Sequence, residues 1–141
     1  MKIIAVILGF SLLVCGCARK PVYRQAPVEG GSVKIGLAGL QEKSPEFYTF
    51  YDKGKGINYF VLKVDGSVQS YFDACSKCYP KKGGYRLDKD RVDCRTCDVH
   101  YSINDLKDGI GSCYPIKLPG RIEGPAYVID GKDLLAGEKY F

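Results

Sequence analysis

The hydrophobic pattern after residue 45 predicts short β-strands joined by tight turns. Two apolar, aromatic-rich runs flank residues 53–56 (KGKG), and a third run follows the Asp65-Gly66 pair. An Asp-Gly pair between such runs is a strong signal for a β-hairpin. Two later segments repeat the signature: residues 85–94 flank a polar turn with short strands, and residues 126–135 (AYVIDGKDLL) supply a closing strand. In residues 58–64 the alternation leaves no clearly polar face.

Helical periodicity is weak by comparison. Long apolar stripes at helical spacing are absent, and only residues 102–109 (SINDLKDG) favour a helical turn. The 17 glycines and 7 prolines punctuate the chain throughout. We therefore predict an all-β fold, a small antiparallel β-sandwich or barrel, over residues 34–141.

The first 33 residues differ from this body. Lys2 precedes twelve apolar residues, 3–14, which are too few to span a bilayer but suit a secretory signal. Gly16 directly before Cys17 resembles a bacterial lipobox. We predict a lipoprotein-type signal peptide at 1–16, then a lipidated N-terminus and tether at 17–33. Acylated Cys17 would anchor the chain to membrane lipid, on the periplasmic or extracytoplasmic side of the bacterial envelope.

Composition limits the function classes. The 141 residues suit one domain, and the formal net charge of +5 is spread among carboxylates. No Arg-rich run or recognition-helix pattern is present, so we predict no nucleic-acid partner. No nucleophile–base pair or nucleotide motif is evident either, which favours a non-enzymatic protein.

The body carries five of the seven cysteines, and four of them form the pattern C-x₂-C-x₁₅-C-x₂-C. These four are Cys75, Cys78, Cys94 and Cys97. Two intervening residues bring both sulfurs of a pair to one side of a turn, and two such turns suit a tetrahedral zinc ion or an iron–sulfur cluster. Cys113 is the fifth, and an odd number argues against a framework of paired disulfides.

The wider context resembles two iron–sulfur families. The run from Cys75 to residue 130 is laid out like a Rieske domain, in which two loop tips each offer a pair of ligands. More specifically, residues 45–130 resemble the FtrD-like iron–sulfur domain of bacterial membrane proteins associated with iron uptake. The segments that carry this likeness are FYTFYDKGKGINYFVLKVDGSVQSYFDAC, VDCRTC, GSCYPIKLP and AYVID.

That resemblance implies a cofactor and a role. The four paired cysteines would hold an iron–sulfur cluster of the [2Fe-2S] type. Separately, Gly109, Gly111 and Pro115 indicate a shaped loop around Cys113, so we predict this thiol close to the centre, as a further metal ligand or a neighbouring thiol. The protein would then be an electron-transfer module, with a redox or iron-permease protein of the membrane as its partner. An all-thiolate site should have a lower reduction potential than a Rieske site, since histidine ligands raise it.

Two other functions stay open at this point. The same spacing suits a zinc-stabilised lipoprotein that binds a partner without redox activity. A thiol–disulfide protein is also consistent with cysteines in an oxidising compartment, although no thioredoxin-like pattern surrounds either pair. His100, the only histidine, follows Cys97 by three residues, and we interpret it as a surface residue on a strand.

Overall fold

The computed structural model describes residues 20–106, 108 and 110–141. The predicted signal peptide and Cys17 lie outside this described part. Within it the chain forms eleven strands and one short α-helix. The strands are β1 (Val28–Glu29), β2 (Ser32–Gly36), β3 (Glu46–Asp52), β4 (Lys55–Val64), β5 (Ser67–Cys75), β6 (Tyr85–Asp88), β7 (Arg91–Cys94), β8 (His100–Ser102), β9 (Pro115–Lys117), β10 (Arg121–Glu123) and β11 (Ala126–Asp130). The helix is α1 (Gly131–Ala136).

The strands make three antiparallel sheets, which we name by position. The outer sheet has the order β1-β2-β11-β10, the central sheet β3-β4-β5-β9, and the cysteine-side sheet β6-β7-β8. The predicted all-β antiparallel fold is confirmed. None of the three sheets closes on itself among the described residues, so the sheets are open and do not form a barrel.

The three hairpins of the sequence prediction are present. β3 pairs with β4 across residues 53–54, β4 with β5 across Asp65-Gly66, and β6 with β7 across residues 89–90. The helical content differs from the prediction. Residues 103–105 form only a 3₁₀ turn, while the segment after β11 becomes α1. The amide of Gly131 donates to the carbonyl of Gly31 at 2.9 Å, so a contact distant in sequence begins this helix.

Strand β4 shows why the central sheet has no polar face. Ile57, Tyr59 and Val61 pack into a core with the outer sheet, while Phe60 and Leu62 pack into a second core with the cysteine-side sheet. We call these the body core and the cysteine core. Each buried apolar side chain contributes roughly 1.5–3 kcal/mol, so this strand is a main source of stability for both layers.

The N-terminal segment predicted as a tether packs on the body from residue 20 onward. The Tyr23 amide donates to Thr49 Oγ1 at 2.9 Å, and Asn58 Nδ2 donates to the Pro21 carbonyl at 2.7 Å. Ala26 is buried in the body core, and residues 28–36 form two strands of the outer sheet. These contacts hold the start of the described chain against the central sheet.

Candidate metal centre

Three loops bring the cysteines of the body together at one side of the cysteine core. The Sγ atoms of Cys75, Cys78, Cys97 and Cys113 all lie within 4.8 Å of one another. The sulfurs of Cys97 and Cys113 are 3.8 Å apart. All of these thiols are free of disulfide bonds. Residues separated by as many as 38 positions therefore supply one compact set of soft donors.

The first loop follows the end of β5. Cys75 is its last residue, and the chain then turns so that the backbone N–H groups of Lys77 and Cys78 donate to its sulfur. Burial opposes ionisation, but several polar contacts to the sulfur, of which these two N–H groups are the strongest, lower the pKa of the Cys75 thiol to about 7. A thiolate is the form that binds metal, so the loop prepares this sulfur as a ligand.

The second loop repeats this arrangement after β7. Cys94 ends the strand, and the N–H groups of Thr96 and Cys97 donate to its sulfur. Burial has the larger effect here and raises the pKa of Cys94 to about 11. Asp98 then adopts a left-handed conformation at φ 53°, which aspartate tolerates better than most residues. The two C-x-x-C pairs thus share the donation of two backbone N–H groups to the first sulfur, although the chain leaves the two loops differently, through a 3₁₀ turn at Tyr79–Lys81 in the first.

Cys94 stands apart from the compact set of four. It is 1% exposed, and its thiol interacts with that of Cys97, but it lies outside the group whose sulfurs are all within 4.8 Å. The structure therefore places Cys94 beside the centre and Cys113 inside the group.

The third loop supplies Cys113 and is tied to the first. The Ser76 amide donates to the Tyr114 carbonyl at 3.0 Å, and the Ser76 hydroxyl donates to the Ser112 carbonyl at 2.7 Å. Burial raises the pKa of the Cys113 thiol, and the neighbouring Cys97 raises it further. A metal ion would reverse this effect, because coordination favours the deprotonated sulfur.

Two buried tyrosines border the thiols. Tyr85 and Tyr101 stack edge to face at 6.0 Å, and neither hydroxyl has a hydrogen-bond partner among the described residues. Burial and the negative charge of Cys75 raise the pKa of both hydroxyls, so both remain neutral donors. Buried polar groups without partners are rare, and each calls for an explanation. Five free thiols and two unpaired donors fit a bound iron–sulfur group or metal ion.

Asp73 fixes the base of the site. Its carboxylate accepts from the Tyr85 amide at 2.5 Å and from the Tyr23 hydroxyl at 3.2 Å. Burial raises the pKa of Asp73 to about 6. A Cβ atom on Gly84 would lie 2.6 Å from this carboxylate, and Gly84 also has a φ of +66°. Glycine is therefore required where the chain enters β6.

His100 contacts a buried carboxylate in the cysteine-side sheet. Its Nδ1 lies 2.7 Å from Asp93 Oδ1, which Arg91 Nε also approaches to 3.2 Å. Burial opposes ionisation of Asp93, but His100 and the arginines hold the pKa of this carboxylate below its ordinary value. These contacts join β7 to β8 and give His100 a structural role at the exposed edge.

The sequence interpretation did not single out Asp73, although one signal was available. Asp73 interrupts an apolar run two residues before a cysteine, where a carboxylate must be either exposed or paired. Its partners come from residue 23 and residue 85, and no local pattern identifies them.

The fold and the site define a small all-β domain with a buried cluster of cysteine thiols suited to metal binding. Residues 40–141 match the family described as "Membrane iron-sulfur containing protein FtrD-like", and the chain belongs to this FtrD-like family. No curated protein and no solved structure matches the chain. The Rieske-like layout of the loops accordingly stays a prediction.

The family is described as a membrane family. Within residues 20–106, 108 and 110–141, no helix has the length and apolar character needed to cross a bilayer.

Proposed function

We propose that this protein is a lipid-anchored, extracytoplasmic electron carrier that serves iron uptake and holds an iron–sulfur cluster. The observation that carries this proposal is the set of five free thiols gathered at one buried site in a chain of the FtrD-like family. Such a cluster would accept and release single electrons. The protein would supply the ligands, shield the centre from water and present it to a partner.

For a two-iron cluster we propose Cys75, Cys78, Cys94 and Cys97 as the ligands. In each pair, two backbone N–H groups donate to the first sulfur. A two-iron cluster needs one thiolate pair per iron and does not require all four sulfurs to be mutual neighbours. Cys94 can therefore serve although it lies outside the compact group. Cys113 would then be a neighbouring thiol.

Hydrogen bonds to sulfur and the surrounding charge would tune the reduction potential. Four thiolates favour a low potential relative to a histidine-ligated site, whereas N–H donors and exposed cations such as Lys77 and Arg95 raise it. Tyr85 and Tyr101 add two buried donors on the inner side.

A single tetrahedral metal ion is the second candidate, and the closeness of four sulfurs, all within 4.8 Å of one another, favours it. A zinc–sulfur bond of about 2.3 Å implies sulfurs roughly 3.8 Å apart in a tetrahedron, close to the 3.8 Å between Cys97 and Cys113. The ligands of a single ion would be the compact group, with Cys113 in place of Cys94. The protein would then be a zinc-stabilised binding module.

Cys94→Ser and Cys113→Ser separate the two candidates. Protein purified without oxygen would be assayed for iron, zinc and acid-labile sulfide, with visible and electron paramagnetic resonance spectra. The proposal expects a brown wild-type protein, loss of the cluster in Cys94→Ser, and retained iron and sulfide in Cys113→Ser. Colourless protein with one zinc ion that Cys113→Ser removes would overturn it. His100→Ala is the matched control and should keep the wild-type metal content, because its ring bonds Asp93.

We further propose that Cys17 is acylated, that membrane lipid anchors the chain, and that its partner is a redox or iron-permease membrane protein. The leader composition supports this view. Mass spectrometry of the detergent-extracted protein tests it: an N-terminal peptide beginning at acylated Cys17 is expected, and an unmodified thiol at this position would contradict it.

A further inference from the structure

An open groove of about 680 Å³ lies beside the metal centre and is strongly cationic. Both cysteine loops contribute to it, with Lys81 and Lys82 following the first pair and Arg95 lying inside the second. Lys20 completes it from the N-terminal segment. Four positive side chains thus converge on one surface.

These cations have no carboxylate partner in an ion pair among the described residues. Lys20 donates to the Gly56 carbonyl, and Arg95 donates to the Tyr85 carbonyl at 2.9 Å, so both partners are neutral. Burial and the charge of Lys82 lower the pKa of Lys20. The buried Asp73 carboxylate interacts with Lys20 and Arg95 and offsets part of this charge. The exposed side chains of Lys81 and Lys82 still give the surface of the groove a positive charge that an external anion can neutralise.

The position of Lys20 connects this groove with the membrane. Cys17 precedes it by three residues, and three residues reach at most about 11 Å. From Pro21 onward the segment is held to the central sheet through Asn58 and Thr49. A lipid on Cys17 would therefore enter the bilayer close to the groove.

We propose that this cationic groove rests on anionic phospholipid headgroups and turns the metal loops toward the membrane surface. The inference depends on the proposed acylation of Cys17. Acyl chains and a basic patch together give stable membrane attachment, and each lysine or arginine near an anionic surface adds to the attraction. A centre held in this way would exchange electrons with a partner embedded in the same membrane.

Hydrogen exchange on the mature, lipidated and metal-loaded protein, which begins at Cys17, tests the orientation. The protein would be placed in vesicles of phosphatidylcholine alone or of phosphatidylcholine mixed with phosphatidylglycerol. We expect amides of residues 79, 81–84 and 95–97 to exchange about fivefold more slowly with phosphatidylglycerol present. Residues 121–126, in the outer sheet, should not change. About 1 M salt, where the Debye length is ~3 Å, should abolish the difference.

Charge variants give the matched comparison. The triple variant Lys20→Gln, Lys81→Gln, Lys82→Gln should lose the protection. A triple variant with the same net charge, Lys89→Gln, Lys117→Gln, Lys132→Gln, should keep it, because these exposed lysines lie outside the groove. Equal exchange in both vesicle types would overturn the proposal. Native membranes with their proteins serve as a third sample. Protection that appears there but in neither vesicle type would also overturn the proposal and assign the groove to an acidic protein. Visible absorbance in the same samples reports the iron separately, so a failed cluster is distinguished from a failed orientation.

Discussion

The two cores on either side of the central sheet are built differently. The body core holds aliphatic and aromatic side chains from the central and outer sheets, such as Val33, Ile57 and Ile129, and none of the five cysteines. The cysteine core shares β4 and β5 but collects Cys75, Cys94 and Cys113 among its buried members. One strand thus serves an apolar layer with one face and a polar, sulfur-rich layer with the other.

This difference indicates that the layers depend on different forces. The body core can be stable through the burial of apolar surface alone. The cysteine core buries thiols and two unpaired tyrosine hydroxyls, which oppose folding unless something binds them. We expect its stability to come in large part from the metal centre.

Removing the metal should therefore have the largest effect. Binding of a structural metal contributes on the order of 10 kcal/mol in small zinc domains. In chelated, reduced protein, amides of residues 85–102 should lose exchange protection, while β2 and β11 keep theirs. Hydrogen exchange with and without metal measures both at once. A uniform loss of protection across the three sheets would show that the layers are not separable.

Matched cavities in the two cores should come next. Ile129→Ala in the body core and Leu106→Ala in the cysteine core each remove a side chain that is at most 1% exposed. Each should lower the free energy of unfolding by about 2–5 kcal/mol. Only Leu106→Ala should also weaken metal retention. Urea unfolding and metal analysis measure the two effects, and metal loss in Ile129→Ala would contradict the comparison.

Much of the central sheet could be predicted from sequence because its signals are local. The Asp65-Gly66 pair places the β4–β5 turn, and residues 58–64 show apolar character on both alternating sets. The third layer and the start of α1 could not be predicted. They depend on packing of β7 and β8 against β4, and on the contact of Gly131 with Gly31.

Only the local part of the candidate site could be predicted from the sequence. The C-x-x-C spacing identifies two pairs, in each of which two backbone N–H groups donate to the first sulfur. The approach of the Cys113 loop to Cys75 depends on the β5–β9 pairing, in which Cys75 faces Pro115 after a register shift that no sequence pattern reveals.

Substitutions at two glycines compare the surroundings of the metal centre with a turn of the outer sheet. Gly84 and Gly124 both have a positive φ, so a side chain at either costs about 1–2 kcal/mol. A Cβ at Gly124 meets no atom within 4 Å, whereas at Gly84 it would press against the Asp73 carboxylate. Gly84→Ala should therefore destabilise the protein more than Gly124→Ala and disturb the metal spectrum. Thermal unfolding and absorbance test this. Equal effects of the two substitutions would show that the Asp73 side chain moves aside without loss of stability.

The smallest effects should come from the unpaired tyrosine hydroxyls, which occur in both cores. Tyr59 in the body core and Tyr85 in the cysteine core each bury a hydroxyl with no partner among the described residues. Tyr59→Phe should stabilise the protein by up to about 1 kcal/mol whether or not metal is bound, since an unsatisfied group is removed. Tyr85→Phe should do so only in the metal-free protein. With the centre loaded, the hydroxyl can donate to a sulfur, so its loss should lower the reduction potential. Urea unfolding of the metal-free and metal-loaded proteins measures the stability changes, and redox titration of the loaded protein measures the potential. An unchanged potential in Tyr85→Phe would show that the Tyr85 hydroxyl, like that of Tyr59, has no role at the centre.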